Sequence, residues 1–315
     1  MRYYAAPMEG LTARAWRTVH HKYFPGADKY YTPFLSVTAD YTFRDRELRE
    51  LLPVEPGYAI VPQLLTKNAE DFLRGAHELF AMGFTEVNLN LGCPSGTVVA
   101  KGKGSGMLRD VEALDAFLEA IFARVEGRVS VKTRLGIDSP AEFERLLAVY
   151  EKYPIHELTI HARTRKEMYK GSVHRDVYAL AEQSGKLPLC YNGDLFTPGE
   201  VAAFGAEHPS AGAVMLGRGL IGDPALIRRC RGGSAATREE LRAYHDELLV
   251  TYHEGMRSLW NAMLHMKEHW VGLMGLFEDD GRCRKRIARA KNAADYLSAV
   301  ETVFGTLSMK EEKAK

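Results

Sequence analysis

Residues 88–108 read NLNLGCPSGTVVAKGKGSGML. They continue an alternation of apolar and polar side chains that begins at Thr85, and this period of two is typical of a β-strand with two distinct faces. Cys93 and Pro94 end the strand, because proline cannot donate a ladder hydrogen bond. Asn90 and Cys93 therefore come at its C-terminal end.

A stretch rich in glycine and lysine follows the cysteine. Four glycines and two lysines in a dozen residues predict a flexible loop that can close over a ligand. The simplest alternative for a lone cysteine is a small buried apolar residue, but a position beside Asn90 and a basic loop favours a site. The residues of this loop are Gly96, Lys101, Gly102, Lys103, Gly104 and Gly106.

Seven further segments have strand patterns, and most are followed by a helical pattern. Such an alternation predicts an α/β fold, specifically a (β/α)8 TIM barrel. The first turn, APMEGLT, lacks the G-x-G-x-x-G of a doubly wound dinucleotide fold, and Thr12 is the expected N-cap of the helix after it. The predicted strands are residues 3–6, 28–35, 58–65, 85–91, 129–135, 157–161, 187–192 and 213–217, and the main predicted helices are residues 68–82, 111–125, 140–153, 175–184 and 198–204.

The pattern changes near the glycine pair Gly232-Gly233. Residues 237–269 contain no proline, and only helical periodicity is visible beyond them. We therefore predict a barrel domain at residues 1–230 and a C-terminal α-helical domain at residues 235–315.

Composition limits the class of protein. The 315 residues carry a formal net charge of +1, so any basic surface must be local. The four cysteines have no C-x-x-C spacing, which argues against a disulfide framework and a zinc site. No signal peptide or membrane-spanning run is apparent. We expect a cytoplasmic monomer without a metal.

Polar residues collect where predicted strands end, which is where barrels of this class place their active sites. Singly, each has an ordinary explanation as a satisfied polar residue or a histidine of the core. Polar residues at the ends of six successive strands, however, favour an active site over six separate explanations. The glycines of the NGD and GRG loops let backbone N–H groups approach an anion, which predicts a phosphate-bearing cofactor. The residues are Pro7, Met8, Gln63, Asn90, Cys93, Lys132, Arg134, His161, Arg163, Asn192, Gly193, Asp194, Gly217 and Arg218.

The motif N-x-G-C-P-x-x-x-V, here Asn90 to Val98, resembles the active-site signature of the tRNA-dihydrouridine synthases of the FMN-dependent, bacterial type. The peptide HARTRKEMYKG at residues 161–171 is similar to that family too. The resemblance implies that Cys93 is the general acid that protonates C5 of a uracil. It also implies that FMN delivers hydride to C6, that NADPH reduces the flavin, and that the base is flipped into the pocket.

The resemblance further implies which residues hold the cofactor, and the chemistry of uracil reduction indicates which residues could hold the substrate. One departure is at the first turn, where Glu9 and Ala13 stand in place of a small residue and an aspartate. The expected FMN residues are Pro7, Met8, Gln63, Lys132, His161, Asn192, Gly193, Asp194, Gly217 and Arg218. The expected substrate residues in the barrel are Asn90, Lys101, Arg134, Arg163 and Tyr169.

A basic run lies in the C-terminal part, in GRCRKRIARAKNAADY. Such a run is usually a solvated helix face, but next to a base-modifying site it favours tRNA binding. The residues expected to bind tRNA are Arg282, Arg284, Lys285, Arg286 and Arg289.

Two other functions compete with this interpretation. One is a flavin barrel that reduces or oxidises a free pyrimidine or another small metabolite, which the basic run disfavours. The other is a catalytically silent RNA-binding protein or chaperone on a barrel scaffold, which Cys93, Lys132 and the glycine loops disfavour.

Overall fold

The computed structural model describes residues 1–38, 42–53 and 57–310. Its eight strands are all parallel and close into a barrel in the order β1 to β8, so the predicted (β/α)8 barrel is confirmed. The strands are β1 (Arg2–Ala5), β2 (Lys29–Leu35), β3 (Ile60–Leu64), β4 (Glu86–Leu91), β5 (Arg128–Arg134), β6 (Leu158–His161), β7 (Leu189–Asn192) and β8 (Ala213–Leu216).

Helices follow the strands and then continue alone to the C-terminal part, as predicted. They are α1 (Arg14–Tyr23), α2 (Asp45–Leu51), α3 (Ala69–Ala81), α4 (Gly96–Val99), α5 (Val111–Phe122), α6 (Phe143–Tyr150), α7 (Arg175–Ser184), α8 (Pro198–Glu207), α9 (Arg218–Gly222), α10 (Leu226–Cys230), α11 (Arg238–Met256), α12 (Leu259–Leu273), α13 (Arg282–Arg289) and α14 (Ala293–Thr306). No helix within the described ranges is long and apolar enough to cross a membrane.

The fold groups the chain into two compact units. The first, which contains the whole barrel, is Met1–Pro7, Asp28–Asp194 and Ala203–Leu216. The second is Met8–Ala27, Leu195–Ala202 and Gly217–Lys315. The functional division at residues 230 and 235 stays a prediction, and the last five residues of the expected helical domain, 311–315, lie outside the described residues.

The barrel interior is polar along one strand. The Tyr31 hydroxyl on β2 bonds Glu86 on β4, and the Tyr4 hydroxyl on β1 bonds Glu157 ahead of β6 at 3.0 Å. Because these strands are not neighbours, the two bonds pass through the interior. Alternation along β4 then places Asn88 and Asn90 inside the barrel and its apolar residues outside.

These inward groups are connected. Glu86 is paired with Lys29 at 2.6 Å and accepts from the Ser130 hydroxyl at 2.6 Å. Asn88 donates to Ser130 at 2.9 Å and accepts from Gln63 at 2.7 Å. A buried polar column of this kind is stable because each member has a partner.

The second unit has an aromatic and histidine-rich core. The Tyr296 hydroxyl is bonded to His245 Nε2 at 2.7 Å and accepts from Trp270 Nε1 at 3.0 Å. Helix α1 joins this core because Phe24 packs edge-on against Tyr244, with ring centroids 5.4 Å apart.

Two boundaries differ from expectation. The prediction that Thr12 caps α1 is wrong: the helix begins after Ala13, and the Thr12 hydroxyl instead accepts from the Met8 N–H at 2.8 Å. The proline-free run 237–269 forms two helices, because Arg257 takes a left-handed conformation (φ 50°) and Ser258 caps α12.

Replacing Asn88 tests the buried column. We expect Asn88→Ala to lower the free energy of unfolding by about 1–3 kcal/mol, because it leaves the Gln63 amide and the Ser130 hydroxyl short of a partner. Asn261→Ala, at an exposed position of α12, should change it by less than about 0.5 kcal/mol. Urea unfolding measures both, and equal effects of the two substitutions would contradict the role of the column.

Candidate active site

Cys93 lies half-buried directly after β4, with both of its backbone groups bonded. Its N–H donates to the Asn90 side-chain oxygen at 2.9 Å, and the Gly92 N–H donates to the same oxygen at 3.0 Å. Its carbonyl accepts from the Ser105 N–H at 3.1 Å and from the Ser105 hydroxyl at 2.8 Å. These hydrogen bonds fix the position of the Cys93 backbone, and with it the point from which the thiol side chain extends.

The glycine-rich segment after Cys93 is folded and partly buried, so it is not the irregular loop that its glycines indicated, and its closing over a ligand stays a prediction. It forms α4 and a 3₁₀ turn (Gly104–Arg109), and Gly104, Ser105 and Gly106 are buried. Gly104 has φ +57°, and a Cβ there would lie 2.9 Å from the Cys93 carbonyl oxygen. Only glycine allows this close approach. Lys101 is exposed in the turn after α4.

The side-chain amides of Asn90, three residues before Cys93, and Gln63 are hydrogen-bonded to each other. Asn90 donates to Gln63 at 2.6 Å, and Gln63 in turn donates to Asn88 at 2.7 Å. The Asn90 oxygen is already used by two backbone N–H groups. Asn90 thus holds the start of the Cys93 segment, and its expected contact with a base stays a prediction.

Lys132 projects from β5 into the barrel, where its ammonium donates to the Asn192 oxygen on β7 at 2.9 Å. Burial, helped by the positive charge of Arg134, lowers the pKa of Lys132 to about 7. An anion next to it would favour the charged form. Asn192 also donates to the Met215 carbonyl at 2.7 Å, which orients the amide.

Arg134 is buried at the end of β5 and binds three backbone carbonyls. Its guanidinium donates to Gly92 at 2.9 Å, Thr164 at 2.8 Å and Met168 at 2.7 Å. Burial lowers its pKa to about 10. The same side chain therefore holds the residue before Cys93 and the segment that follows β6. Its expected contact with the base stays a prediction.

Arg163 is fully buried and fastens the other end of that segment. It donates to the Lys170 carbonyl at 3.1 Å and to the Gly171 carbonyl, and it makes a two-pronged ion pair with Asp194. Asp194 is an expected cofactor residue, and its carboxylate is neutralised by Arg163. Asp194 therefore also helps, through Arg163, to hold the segment that follows β6.

We call residues 163–171 the clamped loop, because Arg134 and Arg163 bind its backbone. Tyr169 lies in this loop at the rim of the barrel. The Tyr169 residue is 50% exposed, and its ring lies 5.2 Å from the Arg134 guanidinium and 6.1 Å from the His161 ring. His161 itself is buried at the end of β6. An exposed ring with a cation behind it is a suitable surface for a planar ligand.

The remaining expected cofactor residues divide between the two units. Pro7 and Gly193 lie in the first unit, where a Cβ on Gly193 would overlap the Tyr191 hydroxyl. Met8, Gly217 and Arg218 lie in the second, where Gly217 precedes the short helix α9. Their part in phosphate binding stays a prediction.

The basic run forms α13, and its members differ. Arg286 donates to Thr302 and Ser298 on α14, and Arg282 pairs with Asp280 at 3.0 Å. Arg284, Lys285 and Arg289 are exposed, and their side chains have no hydrogen-bond or ion-pair partner among residues 1–38, 42–53 and 57–310.

Sequence reasoning missed Ser105, which bonds Cys93 from twelve residues away. The glycines on either side of it indicated only flexibility. A serine between glycines has no periodicity, so no local signal identifies it. Within the described residues, no cluster of histidine, cysteine, aspartate or glutamate is arranged to hold a metal.

Comparison with known proteins identifies relatives over the whole chain. The family model "Dihydrouridine synthase (Dus)" matches residues 4–314. "Probable tRNA-dihydrouridine synthase 1" of Synechocystis is 29% identical over 276 residues, which are 83% of this chain and 76% of that protein. "tRNA-dihydrouridine synthase B" of Serratia marcescens is 27% identical over 316 residues, or 98% of this chain and 93% of that one.

Solved structures show a similar fold. The old yellow enzyme homologue from Zymomonas mobilis superposes with a TM-score of 0.53 at 13% identity, over 76% of this chain and 91% of that chain. At this identity the likeness concerns the fold alone.

The clamped loop gives a direct test of Arg134. Arg134→Gln removes charged donors from buried carbonyls, each bond being worth about 1.5–3 kcal/mol, so amide exchange of residues 163–171 should speed up by at least about tenfold. Arg128→Gln is the matched control, since Arg128 is on the same strand and donates to a single backbone carbonyl, that of Thr85. Hydrogen exchange read by mass spectrometry compares the two, and unchanged protection in Arg134→Gln would refute the clamp.

Proposed function

This chain is a member of the dihydrouridine synthase family, and we propose that it reduces the C5=C6 bond of uridines in tRNA to give dihydrouridine. In this proposal it acts as a monomer with FMN as cofactor, NADPH as reductant and Cys93 as general acid. The observation that carries the proposal is the fixed position of Cys93 at the C-terminal end of β4, beside a ring of polar side chains.

The residues at the strand ends suit a flavin. In its charged form, which a bound anion would favour, Lys132 has three donor hydrogens, and Asn192 is its one hydrogen-bond partner within the described part of the chain. The site thus offers a cation with further donor hydrogens, together with amides and an imidazole, to the polar edge of an isoalloxazine ring. Gln63, Lys132, His161 and Asn192 would hold that ring. When bound, the flavin supplies the hydride that adds to C6 of the uracil.

Cys93 would supply the proton that goes to C5. A thiol can act as a general acid because it carries a proton that it can donate to carbon as negative charge develops there. The bonds from Asn90 and Ser105 hold the backbone on both sides of the thiol, which keeps the donor in place while the base enters. Lys132 can stabilise negative charge that develops on a bound ligand next to its ammonium group.

The clamped loop would bind the base that enters. Tyr169 offers an exposed face, and Arg134 and Arg163 fix the backbone that carries it. The two arginines thereby act on the substrate through the loop. A nucleotide stacked in folded tRNA costs a few kcal/mol to extrude, so contacts elsewhere on the RNA must compensate.

Helix α13 would provide such contacts. Arg284, Lys285 and Arg289 are exposed cations at the spacing of one helix surface. Phosphate contacts of this kind are independent of base sequence, so they can hold the tRNA while the active site selects the uridine.

The first test removes the proposed acid. Purified protein should release FMN on denaturation and reduce unmodified tRNA with NADPH, whereas Cys93→Ala should keep FMN and lose about 10²–10⁴-fold in the rate of single-turnover reduction. Cys230→Ala, a half-buried cysteine in the second unit, is the control and should retain the rate.

The outcomes separate the alternatives. Dihydrouridine formed by Cys93→Ala at the wild-type rate would assign the proton to another group. Reduction of free uracil in preference to tRNA would replace the proposal with a metabolite reductase, and the absence of any bound flavin would exclude both enzymes.

The second test concerns α13. Replacing Arg284, Lys285 and Arg289 together with Gln should weaken tRNA binding and lower the slope of log K against log salt by about one for each phosphate that is no longer bound. Arg286→Gln is the matched control, because Arg286 bonds α14, and it should change that slope less. Flavin content checks that the barrel is intact. An unaltered slope in the triple variant would show that tRNA docks on another surface.

A further inference from the structure

Helix α12 has an exposed apolar face. Trp260, Leu264 and Val271 recur at helical spacing with Lys267 between them, and the three apolar residues are 47%, 41% and 71% exposed. The opposite side of α12, with residues such as Met266, packs in the core of the second unit. A surface helix normally turns polar residues outward, so a partner that covers this face would explain it.

Lys267 connects this face to the basic helix. Its ammonium lies 5.9 Å from the centre of the Trp260 ring and donates to the carbonyls of Ala288 and Ala290 at the end of α13. Within the second unit, the apolar face therefore adjoins the C-terminal end of α13, the helix that carries Arg284, Lys285 and Arg289. We call Trp260, Leu264, Lys267 and Val271 the tryptophan face.

We propose that Trp260 stacks on an unpaired base of an RNA whose phosphates are bound by α13. This inference rests on the proposed function and adds a second base contact, separate from the uridine that is reduced. Sites for single-stranded nucleic acid combine cations that follow the backbone with aromatic rings that stack on bases. Paired bases are covered by their neighbours, so the base that reaches Trp260 belongs to an unpaired or bulged nucleotide.

Charge favours RNA over a second copy of the chain. In a symmetric dimer the same surface meets itself, so the cations of α13 would approach their own copies. Three apolar side chains are also few, because a stable interface takes about 800 Å² from each partner. An RNA avoids both of these problems. Its phosphates neutralise the cations of α13, and a base needs only one aromatic ring to stack on. Glu268, which follows Lys267 in sequence, is the one acidic residue of α12, and it is exposed.

The test compares two replacements of the tryptophan. Trp260→Leu keeps an apolar side chain but removes the ring, and it should weaken tRNA binding about 5- to 150-fold without changing the salt slope. Trp260→Tyr keeps a ring and should retain most of the affinity. Val250→Ala, at an exposed apolar position on α11, is the control and should bind as wild type does. Circular dichroism checks that each variant is folded.

Fluorescence gives a second readout that does not depend on affinity. The other tryptophans, Trp16 and Trp270, are buried, so tRNA should quench mainly the emission of Trp260. That quenching should disappear in Trp260→Tyr when the variant is saturated with tRNA.

Each result has one meaning. If wild type binds tRNA and Trp260→Leu binds equally well, stacking is wrong while the proposed function stands. If wild type does not bind tRNA at all, the proposed function fails. If sedimentation shows a wild-type dimer that Trp260→Leu converts to a monomer, the face binds a second copy, and the inference is overturned.

Discussion

The side chain of Asn90 accepts hydrogen bonds from the backbone N–H groups of Gly92 and Cys93, and the rest of the site depends on this arrangement. It converts the end of a strand into a fixed turn that carries a thiol. The turn can form because Asn90 points into the barrel, where Gln63 accepts its amide hydrogen. A polar residue inside a barrel is tolerated when it is fully bonded.

The polar column of β4 explains why the barrel can hold so many polar groups in its interior. Glu86, Asn88 and Asn90 each bond a side chain of another strand, from the ion pair with Lys29 up to the pair with Gln63. The column follows β4 from its first residue, Glu86, towards Cys93. The alternate residues of β4, Val87, Leu89 and Leu91, are apolar and buried outside the barrel. One strand therefore supplies polar groups to the barrel interior and apolar groups to the layer around it.

Two buried arginines shape the rim in a similar way. Arg134 and Arg163 direct their donors to backbone carbonyls of residues 163–171, and Asp194 compensates one of the charges. Buried guanidinium groups are costly unless their donors are satisfied, which makes the loop and the arginines dependent on each other. Tyr169, which is half exposed, is the part of this assembly that faces solvent.

The sequence by itself determined the barrel and the positions of Cys93, Lys132 and His161 at strand ends, because a period of two and the breaks after it are local signals. It did not reveal that the glycine segment is folded, that Ser105 holds Cys93, or that Arg134 and Arg163 face backbone carbonyls. Those facts depend on partners 7 to 42 residues away. Only the tertiary structure decides them, since periodicity tells which residues share a face but not which groups meet across the barrel.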